Sequence, residues 1–230
     1  SAGTAQTFTM ATRGLRWLTT LTVSDTVSTT ALASADLALG AAADASNLVV
    51  GNGGILTANA STVVLDVLTM NSGTSGTITL TTGSWNVASQ WDTSGAGSTL
   101  TAGTSSVTFD GFLNLAMLAG QQFNNVTGSN RTTQTSAVTI NGTLTINSPD
   151  ATNSWNRNGS SLTVNGTLTV TDGYIISTGG GGGGGTMTLA AVTIAAIGAI
   201  DWGAGSHTVS GAYTNNSTDA LWVAGTGTVT

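Results

Sequence analysis

The chain has 230 residues, of which 40% are apolar, and this is enough material for a hydrophobic core. Only 6% of the residues are charged: four Arg and ten Asp, with no Lys or Glu, where about 25% is usual. Because four dispersed arginines cannot form a basic stripe, the composition argues against nucleic-acid binding and against a polybasic membrane anchor.

Short polar residues replace the missing charges. Threonine, serine, asparagine and glycine favour strands and turns, so the composition favours β structure. The absence of Cys excludes disulfides and thiolate metal sites. A lysine-free, Thr/Ser/Gly-rich surface is more typical of secreted than of cytoplasmic proteins, and we expect an extracellular or cell-surface location. The N-terminal SAGTAQTF lacks an initiator Met and a signal-peptide pattern, so we interpret it as a mature or excised start.

Strand-like segments follow one another along the first half of the chain and return in the second half. LTVSDTV, LVVGNGGIL, VVLDVLTM and GSWNVASQW are matched, in the same order, by VTINGTL, LTVTDGYII, MTLAAVTI and GSHTVSGAY. The offset between matching segments stays nearly constant along the chain. This long repeat predicts two tandem units, 1–115 and 116–230, forming one continuous stack.

A shorter repeat lies within the second half. AVTINGTLTI (137–146) recurs as SLTVNGTLTV (161–170), and MTLAAVTI (187–194) is a third copy. In a strand, alternate side chains point to opposite faces, so each triplet should bury its apolar residues and expose its threonine. Stacking the copies predicts four apolar ladders: Val138–Leu162–Met187, Ile140–Val164–Leu189, Leu144–Leu168–Val192 and Ile146–Val170–Ile194.

The Asn-Gly step inside AVTINGTLTI is also typical of a β-hairpin. The related segments have Ala190-Ala191 and Asp66-Val67 there, and a type I′ turn would force positive φ on the valine. We therefore predict an all-β, right-handed parallel β-helix with about 24 residues per coil. The glycine run Gly179–Gly185 is expected to bulge from one coil as a loop.

The longest uncharged apolar segment, Met187–Ile200, is shorter than the roughly 20 residues that a membrane-spanning helix needs. It also carries threonine at strand spacing. We interpret it as core strand material and expect no membrane insertion.

The run STLTAGTSSVTFDG, followed by QQFNNVT and VTINGTLTI, resembles tandem repeats of large secreted surface proteins of bacteria and archaea. In those repeats a Val-Thr-Phe-x-Gly step precedes a Gln-rich turn and a Phe-Asn-Asn-Leu-like strand. The first copy here keeps only Gln6 and Phe8 of that turn and strand. The resemblance implies a right-handed β-helical adhesin stalk or extracellular filament.

Few residues suggest chemistry. His207 is the only histidine, and its counterpart in the first half is Trp85, so a polar residue on a solenoid face is the favoured interpretation. Asp150, Arg157 and Asp172 are candidates for a glycan-cleaving site, because β-helices that cleave polysaccharides use clustered Asp and Arg in a groove. No calcium nonapeptide and no metal-ligand motif occurs. We expect no enzyme activity, no cofactor and no metal.

Two surface features remain as alternatives. The Thr-x-Thr steps at Thr143/Thr145 and Thr167/Thr169 suggest an ice-binding face, although the third copy keeps only Thr193. The six tryptophans suggest a sugar-binding face or core packing, with the even spacing of two of them favouring the core. They are Trp17, Trp85, Trp91, Trp155, Trp202 and Trp222.

Eight Asn-x-Ser/Thr sequons are candidate N-glycosylation sites, and glycans there would help to solvate a surface with little charge. They are Asn59, Asn125, Asn130, Asn141, Asn158, Asn165, Asn215 and Asn216.

The sequence thus favours a structural subunit or segment of an extracellular filament or adhesive stalk. No polar cap is visible at either terminus, so we expect a homopolymer that grows by axial head-to-tail stacking. A cell-surface or glycan ligand is a further expectation. The alternatives are a glycan-binding or glycan-degrading spike, including a viral tail fibre, and an ice-binding solenoid.

Overall fold

The computed structural model describes residues 20–24, 29–31, 37–38, 47–51, 54–60, 62–70, 76–149, 154–177, 184–218 and 228–230. Side chains are described from residue 47 onward. The described residues form strands, turns and bends without any helix. None of them therefore forms a helix long and apolar enough to cross a membrane.

The described residues form twenty-one strands. They are β1 (Thr20–Ser24), β2 (Thr29–Ala31), β3 (Leu37–Ala38), β4 (Asn47–Gly51), β5 (Ile55–Thr57), β6 (Thr62–Thr69), β7 (Thr77–Thr79), β8 (Ser84–Thr93), β9 (Thr99–Thr101), β10 (Ser106–Phe109), β11 (Leu113–Met117), β12 (Asn125–Gly128), β13 (Thr132–Gln134), β14 (Val138–Ile140), β15 (Leu144–Asn147), β16 (Trp155–Asn156), β17 (Leu162–Ile176), β18 (Met187–Ile200), β19 (Ser206–Val209), β20 (Tyr213–Asn215) and β21 (Thr228–Val229).

The chain divides into two compact units. Unit 1 comprises Ser1–Thr108 and Ala116–Gln122, and unit 2 comprises Phe109–Leu115 and Phe123–Thr230. In each unit the strands pair in parallel with the strands of the preceding coil, as a β-solenoid requires. The predicted all-β solenoid fold is therefore confirmed.

The described strands of unit 1 form three parallel ladders. One ladder is β2, β5, β7 and β9; in it Ile55 pairs with Thr77, and Thr77 pairs with Thr99. The second ladder joins β3 to the first halves of β6 and β8, and the third joins β1 and β4 to their second halves. The coil spacing is about 22 residues, slightly below the predicted value of about 24 residues.

Unit 2 repeats this plan. One ladder is β14, the start of β17, the start of β18, β19 and β21. Another is β12, β15, the middle of β17, the middle of β18 and β20. The third joins β11, β13 and β16 to the ends of β17 and β18. Coil length varies along the unit: Val126 pairs with Leu144, whereas Leu162 pairs with the more distant Met187.

The four predicted apolar ladders are confirmed residue by residue. Val138 pairs with Leu162 and Leu162 with Met187, and the other three ladders keep the register predicted from the short repeat. All twelve side chains are buried. The threonines between them are on the outer side and at least partly exposed. Alternation of buried and exposed side chains fixes this register, because a slip by one residue would bury the threonines.

The Asn-Gly steps are solenoid corners, as predicted, and not hairpin turns. Gly142 and Gly166 do not have positive φ. Both are tightly packed, because a Cβ on Gly166 would overlap the carbonyl oxygen of Gly142 in the preceding coil, and a Cβ on Gly142 would overlap Asn125 Oδ1. The third copy turns with Ala190-Ala191 because its corner is one residue shorter.

The glycine run lies mostly outside the described residues. Only Gly184 and Gly185 are described, just before β18. A Cβ on Gly185 would overlap the backbone of Ser160, so this end of the run packs closely against the preceding coil.

Candidate functional site

A row of threonines runs along the outer side of one ladder of unit 2. It comprises Thr127, Thr145, Thr169, Thr193 and Thr214, each in register with the next. All five are at least partly exposed. The sequence indicated only three members, because Thr127 and Thr214 lie in VTG and YTN triplets, outside the copies of the short repeat. A second row beside it contains Thr143 and Thr167 and ends at Ala191.

Two further threonine rows lie on other ladders. In unit 2, Thr139, Thr163, Thr188 and Thr208 are in register along the outer side of the ladder that begins with β14. In unit 1, the triplets Thr77–Thr79 and Thr99–Thr101 stack directly over one another. None of these strand triplets contains a charged side chain. These ladders therefore present uncharged outer surfaces of hydroxyl and methyl groups.

The structure does not assemble the suggested carboxylate–arginine groove. Asp150 lies outside the described residues. Asp172 is half-buried in β17, in register with Asn147 and Ile197. Arg157 is completely buried, so its guanidinium cannot reach a glycan on the surface.

Arg157 instead joins neighbouring coils from the inside. Its Nη1 donates to the carbonyl oxygen of Gly185 at 2.7 Å, and its Nη2 donates to that of Trp202 at 3.2 Å. Burial lowers the pKa of Arg157 to about 10, and the negative charge of Asp201 acts in the opposite direction. This arginine fixes the C-terminal end of the glycine run.

His207 is also an interior residue, which corrects the expectation of a polar residue on a solenoid face. It is 1% exposed, and its ring centroid lies 5.5 Å from that of Trp202. Its Nδ1 accepts a hydrogen bond from the backbone N–H of Met187 at 3.0 Å. One pattern in the sequence could have found this position: His207-Thr208-Val209 has the alternation of the apolar-Thr-apolar triplets, which directs the side chain of His207 inward.

Buried glutamine side chains form hydrogen bonds between coils in both units. In unit 1, Gln121 Nε2 donates to Ser98 Oγ at 3.1 Å, and its Oε1 accepts from Thr93 Oγ1 at 2.5 Å. In unit 2, Gln134 Oε1 accepts from Trp155 Nε1 at 2.8 Å, and its Nε2 donates to the carbonyl oxygen of Ser161. These polar groups satisfy one another and leave no donor for a ligand at these points.

The described tryptophans pack in the core, as the spacing of Trp85 and Trp91 favoured for those two. Trp85, Trp91, Trp155 and Trp202 are all buried, and the rings of Trp85 and Trp91 meet edge to face at 6.1 Å. Trp17 and Trp222 lie outside the described residues. None of the four described rings offers a flat face to a sugar.

The sequons differ in how their asparagines are held. Asn141, Asn158, Asn165, Asn215 and Asn216 are exposed, whereas Asn59, Asn125 and Asn130 are half-buried. Two of the exposed asparagines bond to each other across coils.

That bond runs from Asn165 Nδ2 to Asn141 Oδ1 at 2.9 Å, so a glycan on Asn165 would disturb it. Among the half-buried sites, Asn125 Oδ1 accepts from Thr143 N at 2.9 Å. Asn158 lies in a left-handed turn with φ of 47°, where its side chain is accessible.

No metal-binding group of three or more His, Cys, Asp or Glu side chains is found within the described ranges. No protein-family model, curated protein or solved structure matches the chain.

Proposed function

We propose that this chain is a structural segment of an extracellular cell-surface filament or adhesive stalk that assembles by axial head-to-tail stacking. The observation that carries the proposal is the in-register parallel stacking of short repeats, which places backbone hydrogen bonds along the stacking direction. Such a ladder resists pulling along its axis and accepts one more coil at an edge.

Strand β20 supplies the edge for that addition. Tyr213, Thr214 and Asn215 are all exposed. In the ladder with β18, Val192 N donates to Ala212 O and Asn216 N donates to Ile194 O. Because hydrogen-bonding directions alternate along a parallel strand, the backbone N–H of Asn215 points away from β18. A strand of a second copy would pair there.

A proline at Asn215 tests this joint. Asn215→Pro removes the N–H that points away from β18, and Asn215→Ala is the matched control that keeps it. In sedimentation velocity over a range of concentrations, we expect the parent chain and the alanine variant to form end-to-end oligomers and the proline variant to stay monomeric. Electron microscopy of the parent chain should show filaments. A single monomer peak for the parent chain at every concentration would reject axial assembly.

A second candidate function is ice binding, which the five-coil threonine row of unit 2 favours. Neighbouring coils place threonines about 4.8 Å apart, and a Thr-x-Thr step places them about 6.7 Å apart along the strand. Oxygen atoms on the faces of hexagonal ice repeat at comparable distances. The row carries no charge, as a neutral lattice of water requires.

Thermal hysteresis measurements test this second candidate. Thr169→Tyr places a bulky ring in the middle of the five-coil row and should abolish hysteresis. Thr163→Tyr, on the four-coil row that begins with Thr139, is the matched control and should retain it. Ice growth that is unaffected by the parent chain would eliminate the candidate.

A further inference from the structure

His207 connects three strands near the C-terminal end of unit 2. Its side chain accepts the N–H of Met187, the first residue of β18. Its backbone carbonyl accepts the N–H of Thr230 at 3.0 Å, and Thr230 O accepts from Val209 N at 2.8 Å. Strand β21 pairs with β19 through Ser206 and His207. The imidazole therefore lies where β18, β19 and β21 meet.

The hydrogen bond to Met187 fixes the protonation state of the ring. Since Nδ1 accepts a hydrogen bond from a backbone amide, it cannot carry a proton itself, and the neutral ring must hold its proton on Nε2. A proton added to Nδ1 would face the N–H of Met187, donor against donor. Protonation and this hydrogen bond are mutually exclusive.

The groups around the ring make a second positive charge unfavourable. Arg157 is a buried cation close enough to repel a charged imidazole, and Asp201 partly offsets it. The other neighbours are the indole of Trp202 and, against that indole at 6.4 Å, the phenol ring of Tyr213. Burial raises the pKa of Tyr213, so its hydroxyl is neutral in acid.

We propose that His207 is an acid-sensitive latch, which closes β19 and β21 onto β18 when the imidazole is neutral and releases them when it is protonated. Release begins with loss of the bond between Met187 N–H and Nδ1. It then frees the strand pair that this imidazole holds against the end of β18. The device is independent of filament assembly and of ice binding.

The direction of the pKa agrees with this arrangement. Burial first, and then repulsion by Arg157, lower the pKa of His207 below its ordinary value of 6.5, and these effects outweigh the Trp202 carbonyl and Asp201. The unfolded chain therefore binds a proton more readily than the folded chain. The stability contributed by the neutral ring is complete above pH 6.5 and is lost as the pH falls towards the folded-state pKa.

Nuclear magnetic resonance of the parent chain tests the latch directly, because His207 is the only histidine. We expect imidazole nitrogen shifts of the Nε2–H tautomer at neutral pH and a titration midpoint below 6.5. Amide exchange of Met187, corrected for the intrinsic rate, should accelerate by up to about tenfold between pH 6.5 and 5.5.

His207→Asn is the matched variant, because the asparagine oxygen can accept the same N–H but does not titrate in this range. Its Met187 exchange, corrected in the same way, should be independent of pH between 7.5 and 5.5. An Nδ1–H tautomer, a midpoint at or above 6.5, or the same pH dependence in the asparagine variant would overturn the proposal. The titration of the parent chain decides the question even if the variant folds poorly.

Discussion

The two units carry different side chains at matching positions of the long repeat. In unit 1, GSWNVASQW buries both Trp85 and Trp91, whose rings contact each other. In unit 2, the matching GSHTVSGAY buries His207 but leaves Tyr213 42% exposed. At these matching positions, contact between apolar rings holds the side chains in unit 1, whereas a hydrogen bond to His207 does so in unit 2.

The corners differ between the units as well. In unit 2, the corners Asn141–Thr143 and Asn165–Thr167 have glycine in the middle, because neighbouring atoms of the preceding coil occupy the space of a Cβ. The corner of β8 in unit 1, residues 88–90, has Ser89 in that place, and its hydroxyl donates to Asp66 Oδ1 of the preceding coil. The long repeat therefore keeps the alternating pattern of the strand triplets. The residue type at each corner depends instead on which atoms of the preceding coil lie next to it.

The largest difference in unfolding free energy is expected between substitutions of matching aromatic residues in the two units. Trp91→Ala in unit 1 should lower the free energy of unfolding by about 3–5 kcal/mol, because a fully buried indole leaves a cavity. Tyr213→Ala at the matching position of unit 2 should cost no more than about 1 kcal/mol, because much of its ring is exposed.

Urea unfolding followed by far-ultraviolet circular dichroism measures both variants. Trp85→Ala serves as a second unit 1 variant with the same degree of burial. Equal losses of unfolding free energy for Trp91→Ala and Tyr213→Ala would contradict the contrast between the buried tryptophan pair of unit 1 and the partly exposed tyrosine of unit 2.

A smaller effect is expected at the unit 2 corners. Gly166→Ala would press a Cβ into the carbonyl group of Gly142, which is rigid backbone, and should destabilise the protein by about 1–3 kcal/mol. Gly128→Ala is the matched control, since its nearest contact is the flexible Ile146 Cδ1 at 3.3 Å.

We expect Gly128→Ala to change the unfolding free energy by less than about 1 kcal/mol, since Ile146 Cδ1 can shift by a few tenths of an ångström. Thermal unfolding of the two variants beside the parent chain gives the comparison. If the Gly166→Ala variant proved as stable as the parent chain, the inferred close approach of the corners at Gly142 and Gly166 would be wrong.

The four apolar ladders could be predicted to the residue because two periods agree in this region. Alternation fixes which side chains point inward, and the copies of the short repeat fix which ones stack. The five-threonine row was harder to see. Thr127 pairs with Thr145 and Thr193 with Thr214 across coils shorter than the repeat, so a fixed period does not find them.

The two interior polar residues differ in how far the sequence indicates them. Arg157 occurs outside the apolar triplets that mark the core, whereas His207 takes the first position of a His-Thr-Val triplet, where alternation directs the side chain inward. Their burial depends on partners from other coils, Gly185 and Trp202 for Arg157 and Met187 for His207. Contacts of this kind arise from stacking, which a linear motif does not encode.

The smallest effect is expected where side chains that are at least partly exposed form hydrogen bonds between neighbouring corners. Asn165→Ala in unit 2 removes the 2.9 Å bond to Asn141, and Ser89→Ala in unit 1 removes the bond to the Asp66 carboxylate. We expect about 0.5–1.5 kcal/mol for Asn165→Ala and somewhat more for Ser89→Ala, because hydrogen bonds to charged groups are stronger. A double-mutant cycle of each pair, measured by urea unfolding, isolates the bond from other effects of truncation. A larger coupling energy for the asparagine pair than for Ser89 and Asp66 would contradict this order. The neutral pair of unit 2 would then stabilise its corner more than the charged pair of unit 1.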